Sequence, residues 1–386
     1  MQTGFSTRKM LESKTLPMES KIIAKKQVFT PSGRNPALEL FRCLLMFLIV
    51  LGHSWGQGPF SPSVRADNHV EWWEFITIGM LIWHVDGFIS ISGWFGIKFS
   101  WKKFFHLLGT IAFYTATRDI IDYCSGEKEL SLGFLSLRSG WFGGSYLVLM
   151  MSAPFVNAAV DSLAQQSKRA LFFSWALVGT AFFFTWAPKH FFTGINAPGF
   201  GHQSYAMMLF VYLTARVARK CLQKAIPLTI LALAVFAYFM TVVAFGATLN
   251  WMGNTANPLF WRIWGLGHDN HAPMVYLAAI VFLLIFAWHV HLPGRVGRVV
   301  LFVSPTMFGV YLGHMAILLP LEKRLAGHVS WHPLITMTVS TCIAYVASVA
   351  FDMLRRLLCS AFRERVDAGL KTLDDKWARL SGWVGG

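Results

Sequence analysis

Three ionisable residues interrupt an apolar stretch near the start of the chain. The stretch is NPALELFRCLLMFLIVLGHSW, residues 35–55, and the three are Glu39, Arg42 and His53. A run of this length suffices to cross a bilayer as a helix. Ionisable groups at that depth cost at least ~2.5–3.5 kcal/mol each on insertion scales, which makes them candidates for function. Arg42 and His53 are eleven residues apart, about three helical turns, so they share one face at a separation of roughly 16 Å. Met46 and Ile49 lie between them on that face. Glu39 precedes Arg42 by one turn, the spacing of an i,i+3 ion pair. The chemistry available is a guanidinium, always charged and offering a planar fork of donors, and an imidazole with an ordinary pKa of about 6.5, able to act as a base at neutral pH. The plain alternative is structural: an Arg–Glu clamp between helices, with a histidine in the wet headgroup layer.

Other residues join this set. Asp86, beside His84, falls inside a second apolar run, where a carboxylate is costly. Lys102 and Lys103 stand together at the start of a third run and could bind anionic groups as point charges. His314 falls within a late apolar run, where it either serves the pocket or bonds a neighbouring helix. Trp141 could stack on a ligand ring, although tryptophan is also common at the membrane interface. GHDNH, residues 267–271, sets Asp269 between His268 and His271. Zinc needs three or four ligands in defined geometry, and no closing ligand is evident, so no metal site is expected.

The elements that must position these groups are membrane helices. The 386 residues are 55% hydrophobic and only 14% charged, with 34 Phe and 16 Trp, and mean hydropathy is +0.49. Soluble domains carry about 25% charged residues. The net charge of +15 could suggest nucleic acid, but the basic residues cluster in short segments between apolar runs, and no nucleic-acid partner is expected. The five cysteines form no CxxC or other ligand pattern, so neither a disulfide framework nor a zinc site is indicated.

Apolar runs predict about ten spans, at 37–55, 74–97, 101–122, 141–160, 169–187, 204–219, 226–249, 273–291, 298–319 and 333–357. Lysine and arginine concentrate in the first segment and in alternate loops (Lys98, Lys102, Lys103; Lys168, Arg169; Arg216, Arg219, Lys220, Lys224; Arg295, Arg298; Arg355, Arg356). The positive-inside rule then predicts cytoplasmic N- and C-termini, with Arg42 nearer the cytoplasm and His53 nearer the outer face. The expected organisation is a disordered basic cytoplasmic tail over 1–35, a transmembrane domain over 36–358 and a cytoplasmic amphipathic helix over 359–386. In that last stretch Phe362, Val366, Leu370, Leu373 and Trp377 recur at three to four residues among charges. The first 35 residues show no short apolar core with a small-residue cleavage site, so the helix that follows them is expected to be retained.

Arginine, ten residues, then histidine on a first membrane helix resembles the signature of the acyltransferase-3 family, and further stretches resemble its exopolysaccharide-modifying branch. GFISISGWF (87–95) is similar to that family's phenylalanine-rich SGY turn, with Trp94 in place of Tyr or Phe. SWKKFFHLLGTIAFYT (100–115) resembles the basic start of the third helix. WFGGSYLVLMMSAPFVN (141–157) resembles the WFL…Y…LSPF helix, and FGVYLGHMAI (308–317) the YLIHMP helix. The Arg-x-x-Arg often found between the second and third helices is absent, with Lys98, Lys102 and Lys103 nearby. Ala316 stands where YLIHMP has its proline.

The resemblance implies an all-α integral membrane enzyme of the inner or plasma membrane. It implies transfer of an acyl group, usually acetyl, from acyl-CoA to a glycan hydroxyl, with no resident cofactor. On that reading Arg42 holds the donor arm or polarises its thioester carbonyl, Glu39 orients Arg42, and His53 is the general base or an acyl-carrying nucleophile. Asp86, Ser92, Lys102, Lys103, Trp141 and His314 form the substrate-binding set. The competing expectations are a transporter or flippase of a glycan or lipid precursor, which would often show paired repeats of broken helices, and a non-catalytic scaffold.

Overall fold

Proline marks where many of the helices begin. A proline lacks an N–H that a helix's first turn would leave unbonded anyway, and its φ is preset for the helix. Pro36, Pro273 and Pro333 each open a helix, and Pro227 and Pro293 each precede one. The computed structural model describes residues 34–59, 72–124, 141–191, 205–252, 272–328 and 331–382. In chain order the helices are α1 (Pro36–Gln57), α2 (Trp72–Leu81), α3 (His84–Phe95), α4 (Trp101–Cys124), α5 (Trp141–Gln166), α6 (Lys168–Phe191) and α7 (Tyr205–Cys221). They continue with α8 (Leu228–Met252), α9 (Pro273–Trp288), α10 (Gly294–Val303), a 3-10 turn (Ser304–Thr306), α11 (Met307–Gly313), α12 (Met315–His328) and α13 (Pro333–Gly382). No strand occurs among the described residues.

Six segments are long and apolar enough to cross a membrane: Pro36–Gln57, Trp73–Phe95, Phe142–Gln166, Leu228–Met252, Gly294–Gly313 and Pro333–Ser360. Their outer surfaces are ones water would not tolerate. Phe155 on α5 is 62% exposed and Leu233 on α8 is 66% exposed, each among other bare apolar side chains. The architecture is therefore all-α and multi-pass. The remaining four expected spans also fold as helices, but with less capacity to cross. α4 carries Lys102, Lys103, Arg118, Asp119 and Asp122. α7 and α9 have 17 and 16 residues, about 25 Å at 1.5 Å per residue against a ~30 Å hydrocarbon core.

Three expected segments are built differently from a single straight rod. The segment expected at 74–97 turns at Ile82–Trp83 between α2 and α3. The Ile82 N–H still reaches the Ile78 carbonyl at 2.8 Å and the Gly87 N–H reaches Trp83 at 2.9 Å, so helical bonding lapses for barely a turn. The segment expected at 298–319 is broken into α10, the 3-10 turn and α11, because Pro305 cannot donate to the preceding turn. At the other end, the apolar span closes at Ser360, and the helix itself continues past it. α13 is one helix of 50 residues that leaves its apolar part and runs on through the polar sequence. The predicted tail up to residue 33 and the GHDNH segment lie outside the described residues.

α1 is the hub of the bundle, packing against α2, α3, α9, α10, α11, α12 and α13. Its buried side chains include Leu38, Phe41, Leu45, Met46, Ile49 and Val50, on more than one face of the helix. The most extensive helix pair is α3 with α7. Gly93 makes that approach possible: a Cβ there would strike the Tyr212 carbonyl and lie 2.9 Å from Ala215 Cβ. Backbone cannot move aside as a flexible side chain can. Gly93→Ala is therefore expected to destabilise the bundle by about 1–3 kcal/mol, the usual cost of overpacking. Thermal unfolding of the detergent-solubilised protein measures this, and an unchanged Tm would contradict the close α3–α7 contact.

The turn from α3 into α4 sets where Lys102 and Lys103 stand. Gly96 ends α3 at φ 74°, a left-handed conformation that glycine adopts without steric cost. Two helices hold the turn. Asn157 of α5 donates to the Ile97 carbonyl at 3.0 Å. The Ile97 N–H donates to the Tyr212 hydroxyl of α7 at 2.9 Å, and that hydroxyl donates to Asn157 at 2.8 Å.

Candidate functional site

The site divides into three groups of side chains strung along α1 and α11. The first is a histidine pair at the C-terminal end of α1. His53 Nδ1 lies 2.7 Å from His314 Nε2, and the two rings are nearly parallel, 9° apart with centroids at 4.9 Å. His314 is 1% exposed and occupies the junction between α11 and α12. Its Nδ1 lies 3.0 Å from the Val310 carbonyl oxygen. A carbonyl only accepts, so His314 Nδ1 carries the proton. In a neutral pair His314 Nε2 is then the acceptor and His53 Nδ1 the donor. That leaves His53 Nε2 with a lone pair. One backbone carbonyl thus fixes two tautomers and leaves the basic nitrogen on His53. Tyr311 stands beside both rings, at 6.5 Å from His53 and 6.3 Å from His314 between centroids. His84 of α3 is within electrostatic reach of His53.

The second group surrounds Arg42. Glu39 is 5% exposed and its Oε2 accepts from Arg42 Nη1 at 2.6 Å, the pair that the i,i+3 spacing predicts. Side chains on a helix lean toward its N-terminus, so the guanidinium is drawn away from His53. It lies 5.9 Å from the centroid of the Phe88 ring, a cation–π distance. Tyr146 of α5 is within electrostatic reach of Arg42, and its hydroxyl is 2.9 Å from Ser92 Oγ of α3. Glu39, Arg42, Ser92 and Tyr146 therefore gather where α1, α3 and α5 meet.

The third group lines a cleft of about 550 Å³ formed by Ser100, Lys102, Lys103, His106, Leu107 and Thr110 of α4 and its approach, Phe308 and Gly309 of α11, and Arg355 and Arg356 of α13. Its lining is strongly basic, and its size is that of a small-ligand pocket. Asp352, fully buried, organises the arginines: it accepts from Arg355 Nε at 2.8 Å, Arg356 Nε at 2.7 Å and the Tyr114 hydroxyl at 3.0 Å. Arg356 also donates to the Pro305 carbonyl. On the rim, Asp367 sits 2.7 Å from both Lys102 Nζ and His106 Nε2. Hydrogen bonds from Lys102 and then His106 hold its carboxyl below the usual carboxylate range, so it is ionised at neutral pH.

α11 joins the first and third groups. Gly309 lines the cleft and His314 is five residues further on, about 7.5 Å along a helix. Arg42 and His53, by contrast, are three turns apart on α1.

Not every candidate joins these groups. Asp86 is 1% exposed but lies within electrostatic reach of Tyr238 and Tyr276, on α8 and α9. The reason is helical phase. His84 precedes Phe88 by four residues and shares its face toward α1, whereas Asp86 precedes Phe88 by two and falls on the opposite side. Trp141 begins α5, and its side chain is outside the described residues. Among the described residues no group of three or more His, Cys, Asp or Glu could hold a metal ion.

Several site residues escaped the sequence reading. Arg355 and Arg356 read only as positive-inside charges, although Asp352 at i−3 and i−4 was a visible sign of a structured pair. His106, Asp367 and Asp374 gave no signal, since their partners are more than 250 residues away in sequence. Glu322, near the C-terminal end of α12, is fully buried and accepts from Ser54, the neighbour of His53, and from Ser340.

A half-buried histidine whose proton position is set by a buried histidine partner, on a multi-pass helical bundle a short way from a basic cleft, is an arrangement suited to group transfer. The acyltransferase-3 family model, described as an acyltransferase domain, matches residues 35–353. The chain belongs to that family and is an acyltransferase. No curated protein and no solved structure matches it significantly.

Proposed function

We propose that the protein is a membrane O-acyltransferase that moves an acyl group, acetyl on the family's usual pattern, from acyl-CoA to a hydroxyl of a cell-surface or lipid-linked glycan. Both termini face the cytoplasm of an inner or plasma membrane, and the bundle makes about ten crossings. The observation that carries this reading is α11, which lines the basic cleft at Phe308 and Gly309 and holds His53 in its tautomer through His314.

Lys102, Lys103, Arg355 and Arg356 would take the donor's phosphates, the guanidiniums as bidentate partners and the ammoniums as point charges. Of the two roles open to Arg42, the separation favours holding the donor arm. A guanidinium drawn toward Glu39, three turns from His53, is too far to polarise a carbonyl under attack at His53 Nε2. His53 Nε2 takes the proton of the sugar hydroxyl as its oxygen attacks the thioester carbonyl. The C–S bond then breaks, and the imidazolium returns the proton to the departing thiolate. The same lone pair would serve a covalent acyl-imidazole route.

The deciding experiment compares surface polysaccharide from cells with and without the gene, with ester-linked acyl groups quantified by NMR. The expected result is loss of one ester signal with an unchanged sugar backbone. An unchanged ester profile under conditions of expression overturns the proposal in favour of transport or scaffolding.

A further inference from the structure

The C-terminal part of α13 does more than continue a helix. Two of its carboxylates are seven residues apart, two turns, and so share a face. Both meet the start of α4. Asp367 bridges Lys102 and His106. Asp374 caps the helix: it accepts the Trp101 N–H at 2.6 Å, the Ser100 hydroxyl at 2.8 Å and the Lys102 N–H at 3.4 Å. Trp377, one turn further, packs on Phe99 with ring centroids 5.2 Å apart. A helix N-terminus with flanking lysines is a place where anions are stabilised, and here carboxylates of the same chain occupy it. Ser100, Lys102 and His106 are also lining residues of the cleft. An anion entering the cleft therefore meets a lysine and a histidine already engaged by a carboxylate.

We propose that this arm is a built-in competitor for the anionic donor, with Asp367 standing where a phosphate of acyl-CoA would bind and yielding to it when donor is abundant. The inference rests on the reading of the cleft as the donor site. The pair suits displacement. Asp367 and Lys102 are 22% and 43% exposed, and ion pairs that open to solvent are weakly held. A phosphate brings more charge and more acceptor oxygens, and it makes stronger charge-assisted bonds with the same lysine. The arm therefore sets a threshold of donor concentration instead of closing the site permanently.

The test uses the full chain in nanodiscs with CoA as the probe, titrated at low salt. Asp367→Asn removes the competing charge and is expected to lower the Kd for CoA about two- to fivefold, the equilibrium worth of an exposed pair. In the unaltered protein, saturating CoA is expected to raise amide hydrogen exchange across residues 367–382. A Kd that stays the same or rises in Asp367→Asn, or exchange in the arm that slows with CoA, overturns the competitor role. Lys103→Gln separates this from failure of the donor-site reading. If Lys103→Gln weakens CoA binding while Asp367→Asn does not strengthen it, only the competitor role falls. If Lys103→Gln leaves CoA binding unchanged, the donor site is elsewhere and both fall.

Discussion

His53→Ala is expected to cut acyl transfer by ~10²–10⁴-fold, the usual range for removing a positioned general base, while the protein still accumulates in the membrane. Cells carrying it should lack the ester signal on their surface glycan. The expectation follows from how His53 is held. Its Nδ1 faces His314 at 2.7 Å, and His314 is tied to the Val310 carbonyl, so the lone pair on His53 Nε2 has no competing tautomer. The substitution shortens a side chain that is only partly buried and leaves the core residues of α1 in place, so loss of activity will not be loss of fold. His314→Ala should give a smaller loss, because it removes the tautomer's anchor and leaves the base. Normal ester content in His53→Ala would remove the proposed base. Equal losses in the two variants would mean that the pair acts as one unit.

Arg42→Lys is expected to weaken CoA binding about 10–100-fold, with acyl transfer falling in step, even though charge is conserved. The guanidinium already bonds Glu39 at 2.6 Å and lies against Phe88. Its planar fork can keep that contact and still present further N–H donors to the donor arm, whereas one ammonium cannot match the geometry. Loss of one charge-assisted hydrogen bond, worth about 1.5–3 kcal/mol, gives the stated range. Lysine is a cleaner choice than alanine. Glu39 is almost fully buried, and removing Arg42 takes a charge-assisted bond from a buried carboxylate, a change costly enough to disturb the fold. Titration of CoA into the purified variant measures the effect. Unchanged binding would take Arg42 out of the donor site and return it to a structural clamp.

How much of this was legible in sequence depends on how far apart the partners are. The Glu39–Arg42 pair and the common face of Arg42 and His53 follow from 3.6 residues per turn, and α1 has the bounds its apolar run implies to within about two residues. Asp352 with Arg355 and Arg356 obeys the same local rule. Asp86 shows where such reasoning stops. An acidic residue in an apolar run is visible, but whether it or His84 faces α1 is set by the rotation of α3, and α7 fixes that rotation through the close approach at Gly93.

The sequence by itself determined that this protein is a helical, multi-pass membrane protein with a guanidinium and an imidazole aligned on its first span, and its motifs carried the resemblance to the acyltransferase-3 family. Composition, hydrophobic run length and helical phase are local quantities, and a local reading suffices for them. Only the tertiary structure decided that His314 supplies the tautomer anchor of His53 across a sequence separation of 261. It alone decided that Arg355 and Arg356 complete a basic cleft with Lys102 and Lys103, and that Asp367 returns from the C-terminal third of a 50-residue helix to sit beside them. Those pairings depend on which helix faces are packed against each other. Burial of many small apolar contacts sets that arrangement, and no single stretch of the chain encodes it.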